Sequence, residues 1–491
     1  MLLSKSTQPN EIRMPTTALA QRPESTIDST DAKAVYHALY DGADPNLAAE
    51  YLVARLDEAA NLPCDLPDTV DGIAEWIATH TDAVGAEYRE YLAARRNGAP
   101  RRYFRSRAQA LYFLKAVAPT KLVDGAWLYG VLERWSDPDY QPLIRIYLEE
   151  LGNGVPDKNH VTIYRKLLDQ HGCGNWQDLP ARHFVQGAIQ LALAHGADDF
   201  LPELVGYNLG YEQLPLHLLI TSYELNELGI DPYYFTLHVT VDNADTGHAH
   251  TALESLRRVL PRVGDSAAFM RRVAAGFRLN DLGLGTVEAI ASFDLERETV
   301  AMLAAKSVVG RNMHSDYCRV AGRTINDWLA EPAQIPQFLE KLEQQGWIRR
   351  GEPAENSRFW KLIHGERAEM FGVFSPYEQQ LLGDWIATPR NGAEPAVPRT
   401  ISHRAQRRSI DTLEGTGQRS HAPRGVIRHV FPADEHAWET IGCELRLLEA
   451  QLAATASKDE AMALLAGLMA PSQHHTSAGL MATRVFARLY Q

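Results

Sequence analysis

The segment FTLHVTVDNADTGHAH, residues 235–250, concentrates side chains of the types that bind metal ions. If it is helical, at about 100° per residue, then Asp242, Asp245 and His248 lie at roughly +40°, −20° and −80° from His238. Three potential ligands then share one face, and a fourth lies at its edge. Burying them without partners would cost several kcal/mol per ion, which bound metal ions would offset. The alternative is a solvated helix face with a chance run of polar residues.

A second group lies in LIRIYLEELGNGVPDKNHVTIYRKLL, residues 143–168. Its apolar spacing predicts one helix that carries Glu149 and Glu150 in its last turn and stops at Gly152. Asp157 can cap a second helix, which carries His160 at its start. A glycine-rich break between the two helices would let a carboxylate and an imidazole converge. The alternative for His160 is a residue at a helix N-terminus that hydrogen-bonds to a neighbour.

Three other positions carry weaker signals. Asp124 lies in a largely apolar stretch predicted to be helical over 121–134, where helix capping is the alternative to a functional role. Arg278 could hold a substrate carboxylate as a bidentate donor, or it could be an ordinary surface or ion-paired arginine. The adjacent His474 and His475 are expected to form an exposed loop pair and not a ligand set.

The elements that must position these groups are helices, because apolar residues recur at three- and four-residue steps through most of the chain. One predicted helix spans 232–256, and a final helical pair spans 433–455 and 458–470. The sequence therefore predicts an all-α protein. Its predicted parts are a disordered leader (1–30), an N-terminal helical extension (31–104), a main helical domain (105–330), a small appended module (331–388), a flexible linker or lid (389–430) and C-terminal helices (431–491).

The composition of the chain indicates which classes of partner and which cellular compartment to expect. The chain has 491 residues, with 49 basic against 62 acidic side chains and a net charge of −13, which argues against a nucleic-acid partner and favours a small molecule. The four cysteines are widely spaced, which is typical of reduced thiols in the cytoplasm. The 18 histidines outnumber them, and imidazole is a usual ligand for redox metals. No stretch of about 18 apolar residues occurs, so no membrane span is expected.

Together, three of these segments resemble the heme-oxygenase-like diiron oxidases and oxygenases, also called iron-containing redox enzymes. The matching motifs are VDGAWL at 123–128, EELGNGVPDKNH at 149–160 and YYFTLHVTVDNADTGH at 233–248, and the resemblance covers about 105–330. It implies a seven-helix bundle like that of heme oxygenase, in which two Fe(II) ions take the place of heme.

The resemblance also implies a ligand set. Glu150 would bridge the two irons, with His160 from the next helix and with His238 and Asp242 from a later core helix. Asp124, 26 positions before Glu150, stands where the family usually has its first glutamate. The sequence leaves open whether Glu149 could bridge in place of Glu150.

Two departures from the family pattern concern this ligand set. Asp245 stands where the family commonly has a second histidine, and His248 follows three residues later. Either Asp245 is the ligand, or local unwinding of the helix brings His248 to the site. Asp124 is one methylene shorter than the usual glutamate.

The function implied by the resemblance is oxidation of a small molecule at non-heme iron, with O₂ as co-substrate. N-oxygenation, desaturation and oxidative C–C cleavage, in specialised metabolism, all fall within this range. An external electron donor and a homodimer are further expectations. The alternatives are a metal-free enzyme, or one that depends on heme or another cofactor, on the same bundle, and a non-catalytic interaction protein with a degenerate site.

Overall fold

The computed structural model describes residues 28, 30–42, 44–241, 247–390 and 435–490. Almost all of the predicted leader and of the predicted linker lie outside these ranges. The predicted all-α fold is confirmed, because the described residues form helices and a single short antiparallel hairpin. In that hairpin, β1 (Arg319–Val320) pairs with β2 (Arg323–Thr324). Within the described ranges, no helix combines the length and the apolar character needed to cross a membrane.

Three helices precede the main bundle, namely α1 (Ala32–Asp41), α2 (Pro45–Ala59) and α3 (Val70–Arg96). The carboxylates of Asp31 and Asp44 accept backbone N–H groups in the first turns of α1 and α2, which fixes where these two helices begin. Both helices pack against the bundle helix Val185–His195, in the same hydrophobic cluster as its buried face.

The bundle lies between residues 107 and 310. Its helices are α4 (Arg107–Ala116), α5 (Ala118–Lys121), α6 (Gln141–Glu150), α7 (His160–His171), α8 (Val185–His195), α9 (Leu201–Tyr211), α10 (Leu216–Glu227), α11 (Tyr233–Val241), α12 (His248–Val259), α13 (Ser266–Arg278), α14 (Thr286–Ala291) and α15 (Leu295–Gly310). Short 3₁₀ helices connect them at Ala126–Arg134, Pro138–Tyr140, Gly152–Gly154, Asn175–Asp178, Ala181–His183 and Leu279–Asp281.

The single helix predicted over 232–256 is wrong. α11 ends at Val241, and Gly247 has extended backbone angles (φ −89°, ψ −163°) directly before His248, where α12 begins. A residue with extended backbone cannot continue an α-helix, so His248 starts a separate helix.

Two large hydrophobic clusters lie in the described part of the bundle, and a smaller one joins α3 to α10 and α11. One large cluster contains Trp127 and Tyr147, and the other contains Phe113, Tyr164 and Tyr234. Large aromatic and aliphatic side chains dominate both clusters, so burial of apolar surface holds the helices together.

A smaller module follows the bundle and has a core of its own. It comprises α16 (Ile325–Leu329), α17 (Ile335–Gln344), α18 (Arg358–Ile363) and α19 (Pro376–Ala387), with 3₁₀ turns at Pro332–Gln334 and Ala354–Asn356. Trp328 and Trp385 are buried in this core, against which α15 also packs. The module is tied to the bundle, since the Asp384 carboxylate accepts the Ala108 N–H at 2.8 Å in the first turn of α4.

The C-terminal region contains α20 (Glu435–Ala453), α21 (Lys458–Leu468) and α22 (Ser477–Tyr490). The sequence predicted the first two helices and missed the third. Buried residues of α21 and α22, including Leu465 and Phe486, join the same cluster as Tyr147 of α6. The end of the chain therefore packs directly on the bundle.

Candidate metal centre

Asp124 lies in a turn and not inside the helix predicted over 121–134. α5 ends at Lys121, and a 3₁₀ helix begins at Ala126 after Gly125, whose φ is 81°. A Cβ atom on Gly125 would lie 2.8 Å from Cβ of Glu150. Glycine at this position therefore allows the turn that bears Asp124 to lie directly against Glu150.

Glu150 and His160 converge across the break between α6 and α7, as the glycine-rich spacing predicts. Glu150 is the last residue of α6 and His160 is the first of α7, which Asn159 caps. Nδ1 of His160 lies 2.5 Å from Oε2 of Glu150 and 3.4 Å from Oδ2 of Asp124. All three side chains are buried.

His238 of α11 completes this first group. Its Nδ1 lies 2.8 Å from the carbonyl oxygen of Tyr234, and its Nε2 lies 3.0 Å from Oδ2 of Asp124. A carbonyl only accepts, so Nδ1 carries the proton. Burial and the positive charge of His160 lower the pKa of His238, which leaves its ring neutral with a single proton. The bare Nε2 therefore faces a carboxylate oxygen, an arrangement that a cation between them would satisfy.

A second group lies beside the first and shares Glu150 with it. Nδ1 of His248 donates to Oε2 of Glu212 at 3.0 Å and lies 3.4 Å from Oε1 of Glu150. Nε2 of His248 donates to Glu149, whose side chain is 42% exposed. Of the two adjacent glutamates, Glu150 is the buried one, and it is the one that belongs to both groups.

Glu212 is a member of this group that the sequence did not predict. This residue directly follows α9, an almost wholly buried helix whose residues are mainly apolar and which shows no polar stripe. The available signal was weak: an acidic residue that follows so apolar a helix lies in the interior only where it has a charged partner. The sequence spacing between Glu212 and the other ligands does not predict that they meet, because the position of Glu212 depends on how α9 packs.

In the first group, burial and neighbouring charges shift the pKa values in opposite directions. Burial raises the pKa of Asp124, but Lys121 and the adjacent histidines act more strongly, so its pKa lies well below the ordinary value. Burial also raises the pKa of Glu150, and His160 reverses this to a net decrease. Although burial lowers the pKa of His160, Glu150 and Asp124 raise it to about 10. Without a metal ion, a protonated His160 therefore holds the carboxylates together.

In the second group as well, burial and neighbouring charges shift the pKa values in opposite directions. Burial keeps the pKa of Glu212 above its ordinary value, even though His248 lowers it. Burial opposes protonation of His248, but Glu212 and Glu149 raise its pKa well above the ordinary value. His248 is therefore an imidazolium held between two carboxylates.

Two tyrosines hold the Asp124 carboxylate from the other side. The Tyr211 hydroxyl donates to Oδ1 at 2.7 Å, and the Tyr234 hydroxyl donates to Oδ2 at 2.5 Å. Nζ of Lys121 donates in turn to the Tyr211 hydroxyl at 2.9 Å. Since Tyr211 packs against the first hydrophobic cluster and Tyr234 belongs to the second, the group lies where the two clusters meet.

The remaining sequence candidates have different outcomes. Asp242 and Asp245 lie outside the described residues. Arg278 donates from Nε to the carbonyl oxygen of Leu62 at 3.0 Å, and among the described residues its side chain forms no hydrogen bond or ion pair with either group. The expectation that His474 is exposed is wrong, because its side chain is buried against Asn159.

The donors fit metal ions. One set of ligand atoms, from Asp124, Glu150, His160 and His238, and another, from Glu150, Glu212 and His248, each lie within 4.8 Å of one another. Oε1 of Glu212 is buried and has no hydrogen-bond partner among the described residues. Oε2 of Glu150 and Nδ1 of His160 are buried as well, and they form an ion pair with each other without hydrogen-bond geometry. Carboxylate oxygens and imidazole nitrogens are the ligands that iron takes in non-heme oxygenases, and each set contains both.

Comparison with known proteins bears on the same region. Residues 111–281 match the sequence model of a family described as iron-containing redox enzymes. No curated protein and no solved structure matches the chain significantly. The matched residues include every member of both ligand groups, and the all-α bundle is consistent with the heme-oxygenase-like fold of that family. The region that builds the candidate metal centre is thus the region that carries the signature of the iron-containing redox enzymes.

Proposed function

We propose that this chain is a non-heme diiron enzyme that uses O₂ to oxidise a small molecule. The observation that carries the proposal is the pair of buried ligand groups that share Glu150. A carboxylate with one oxygen in each group can bridge two metal ions, as in two-metal sites generally. The family match and the chemistry of the donors support iron as the metal.

Each iron would have its own ligands. The first would be held by Asp124, Glu150, His160 and His238, and the second by Glu150, Glu212 and His248. Asp242 and Asp245, which the resemblance also implicates, remain proposed ligands. When bound, ferrous iron supplies the electrons that reduce O₂.

The protein's own residues prepare the site. The backbone carbonyl of Tyr234 keeps the proton of His238 on Nδ1 and so leaves Nε2 bare for a metal ion. Tyr211 and Tyr234 fix the orientation of the Asp124 carboxylate through hydrogen bonds to both of its oxygens. The surrounding aromatic clusters keep bulk water away from these groups.

Donor chemistry favours two irons over heme on this bundle. A heme needs an axial ligand and a flat apolar slot. Here three buried carboxylates converge with three histidines, and such a concentration of negative charge calls for cations. The substrate is proposed to be a small molecule that undergoes N-oxygenation, desaturation or oxidative C–C cleavage. We also propose that Arg278 binds a carboxylate of the substrate and that an external donor supplies electrons to the enzyme. The protein is further proposed to be a cytoplasmic homodimer.

Metal analysis of the whole chain tests the proposal. After anaerobic loading with Fe(II) and removal of excess metal, we expect about two iron ions per chain, the number of a two-metal site. We expect His238→Ala and Glu212→Gln each to reduce iron content and to abolish Fe(II)-dependent O₂ consumption. The matched control is His195→Gln, because His195 contacts the Leu39 carbonyl through Nε2 and belongs to neither group.

Two results would contradict the proposal. One is an iron-free protein that is active, and the other is full iron content in both His238→Ala and Glu212→Gln. A comparison of Asp245→Ala with His248→Ala by iron content then shows which of these two residues is a ligand. If His248 is the ligand, only its replacement lowers the iron content.

A further inference from the structure

The C-terminal residues 458–490, here called the C-terminal cap, lie against the break that separates Glu150 from His160. The Tyr147 hydroxyl of α6 donates to the Met469 carbonyl at 2.5 Å. Nη2 of Arg484 donates to the Gly154 carbonyl, within the break, at 3.0 Å. A Cβ atom on Gly154 would overlap the backbone of α22, so glycine is needed for this close approach.

His474 lies in the turn between α21 and α22, and its side chain is only 2% exposed. Its Nδ1 lies 3.1 Å from Nδ2 of Asn159. The amide nitrogen of Asn159 can only donate, so Nδ1 of His474 is the acceptor. Burial, above all, lowers the pKa of His474 to about 3, in keeping with a neutral ring. The turn that carries His474 is tightly packed, because a Cβ on Gly479 would overlap the backbone of residues 473 and 474.

Asn159 connects His474 to the helix ends that carry the candidate ligands. Its Oδ1 accepts the Thr162 N–H at 2.9 Å and so caps α7, whose first residue is His160. Its Nδ2 also donates to the carbonyl of Leu151, the residue after Glu150, at 3.3 Å. One fully buried amide therefore joins the end of α6, the start of α7 and the C-terminal cap.

The orientation of that amide depends on His474. With an acceptor at Nδ1 of His474, the NH₂ end of Asn159 points toward Leu151 and the cap, and the oxygen end points toward Thr162. Without that acceptor, the NH₂ group loses one of its two partners in a buried place, where an unsatisfied donor is costly. The break would then gain freedom at the point where Glu150 and His160 must meet.

We propose that the C-terminal cap is part of the metal centre, with His474 acting through Asn159 as a positioning residue for Glu150 and His160. This inference rests on the proposed function for the identity of the ligands. It assigns the cap a role in metal binding, beyond packing on the bundle.

Co(II) binding to the full chain tests the inference, with affinity and the visible ligand-field spectrum as readouts. His474→Leu removes the acceptor at similar size, and we expect Co(II) affinity to fall by about 10- to 100-fold, as for other residues that orient metal ligands. His474→Asn places an acceptor close to the position of Nδ1 and should restore most of the affinity and the spectrum. Phe486→Leu, in the buried core of the same cap, is the control and should lower only thermal stability.

A second pair of variants tests the route through Asn159. Asn159→Asp keeps the cap on Thr162 but replaces the donor that His474 and Leu151 share. Because both changes break the same contact, the double variant with His474→Leu should lose less Co(II) affinity than the two single losses combined. Additive losses would show that His474 does not act through Asn159.

Hydrogen exchange of the metal-free chain separates this inference from the proposed function. We expect His474→Leu to speed amide exchange in residues 151–164, whereas Phe486→Leu should not do so selectively. Unchanged Co(II) affinity and unchanged exchange in His474→Leu would overturn the inference, even if thermal stability falls. If the wild-type chain binds no Co(II), the proposed function fails, and hydrogen exchange still decides whether His474 holds the start of α7.

Discussion

Replacing Gly125 by alanine should disturb the candidate metal centre through a single methyl group. At φ 81° an L-residue costs roughly 1–2 kcal/mol relative to glycine. The new Cβ would also lie 2.8 Å from Cβ and 3.1 Å from Cγ of Glu150, closer than ordinary van der Waals contact. Overpacking of a buried site costs about 1–3 kcal/mol, so the total loss of stability should be about 2–5 kcal/mol.

Gly229 provides the matched control in the same bundle. Its φ is 69°, and the nearest atom to an added Cβ is Nη1 of Arg107 at 3.3 Å, the far end of a flexible side chain. Gly229→Ala should therefore show only the backbone cost of roughly 1–2 kcal/mol. The excess loss in Gly125→Ala then measures the collision with Glu150.

Urea unfolding, followed by far-UV circular dichroism, compares the stability of the two variants, and Co(II) titration compares their metal binding. We expect Gly125→Ala to bind Co(II) more weakly, because the new methyl group pushes the Glu150 side chain away from the other ligands in both groups. Gly229→Ala should bind Co(II) like the wild-type chain. Equal stability losses together with equal Co(II) affinities would refute the reasoning that the turn at Gly125 sets the position of Glu150.

Two further predictions concern protons around the centre. Tyr234→Phe removes a hydrogen-bond donor to Asp124 and should weaken Co(II) binding by about 10-fold or more. The control is Tyr164→Phe, because the Tyr164 hydroxyl donates to a backbone carbonyl, and its loss should leave Co(II) binding unchanged. Equal losses of Co(II) affinity in the two variants would contradict this prediction. Because their carboxylate partners raise the pKa of His160 to about 10 and that of His248 well above its ordinary value, metal binding should release about two protons near pH 7 and tighten as pH rises. Calorimetry in two buffers of different ionisation enthalpy measures this release, and a value near zero would show that the histidines are already neutral.

The sequence predicted the local part of the centre well. The apolar spacing on either side of the glycine-rich break located the end of α6 and the start of α7, and so the convergence of Glu150 with His160. This inference succeeded because both residues lie at helix ends, which the glycines between them mark in the sequence. The cap of α7 is Asn159 and not Asp157, the cap that the sequence suggested.

Longer-range features could not be predicted in the same way. Glu212 reaches His248 because α9 packs beside α12, and no periodicity in either segment encodes that packing. His474 stands in the polar stretch PSQHHTS, which is typical of an exposed turn, yet docking of the cap on a distant helix break buries it. The predicted helix over 232–256 failed at Gly247 because helical periodicity on both sides concealed the extended residue between them.

Packing of the C-terminal cap into the bundle core has a consequence for how the protein is made. Ribosomes build the chain from its N-terminus, and the candidate ligands between residues 124 and 248 are synthesised long before residues 458–490. Until these helices are synthesised, Tyr147 lacks its partner at Met469 and Gly154 lacks its contact with Arg484. Completion of the bundle therefore has to wait for residues 458–490, and a metal ion that arrives earlier meets a site without its cap.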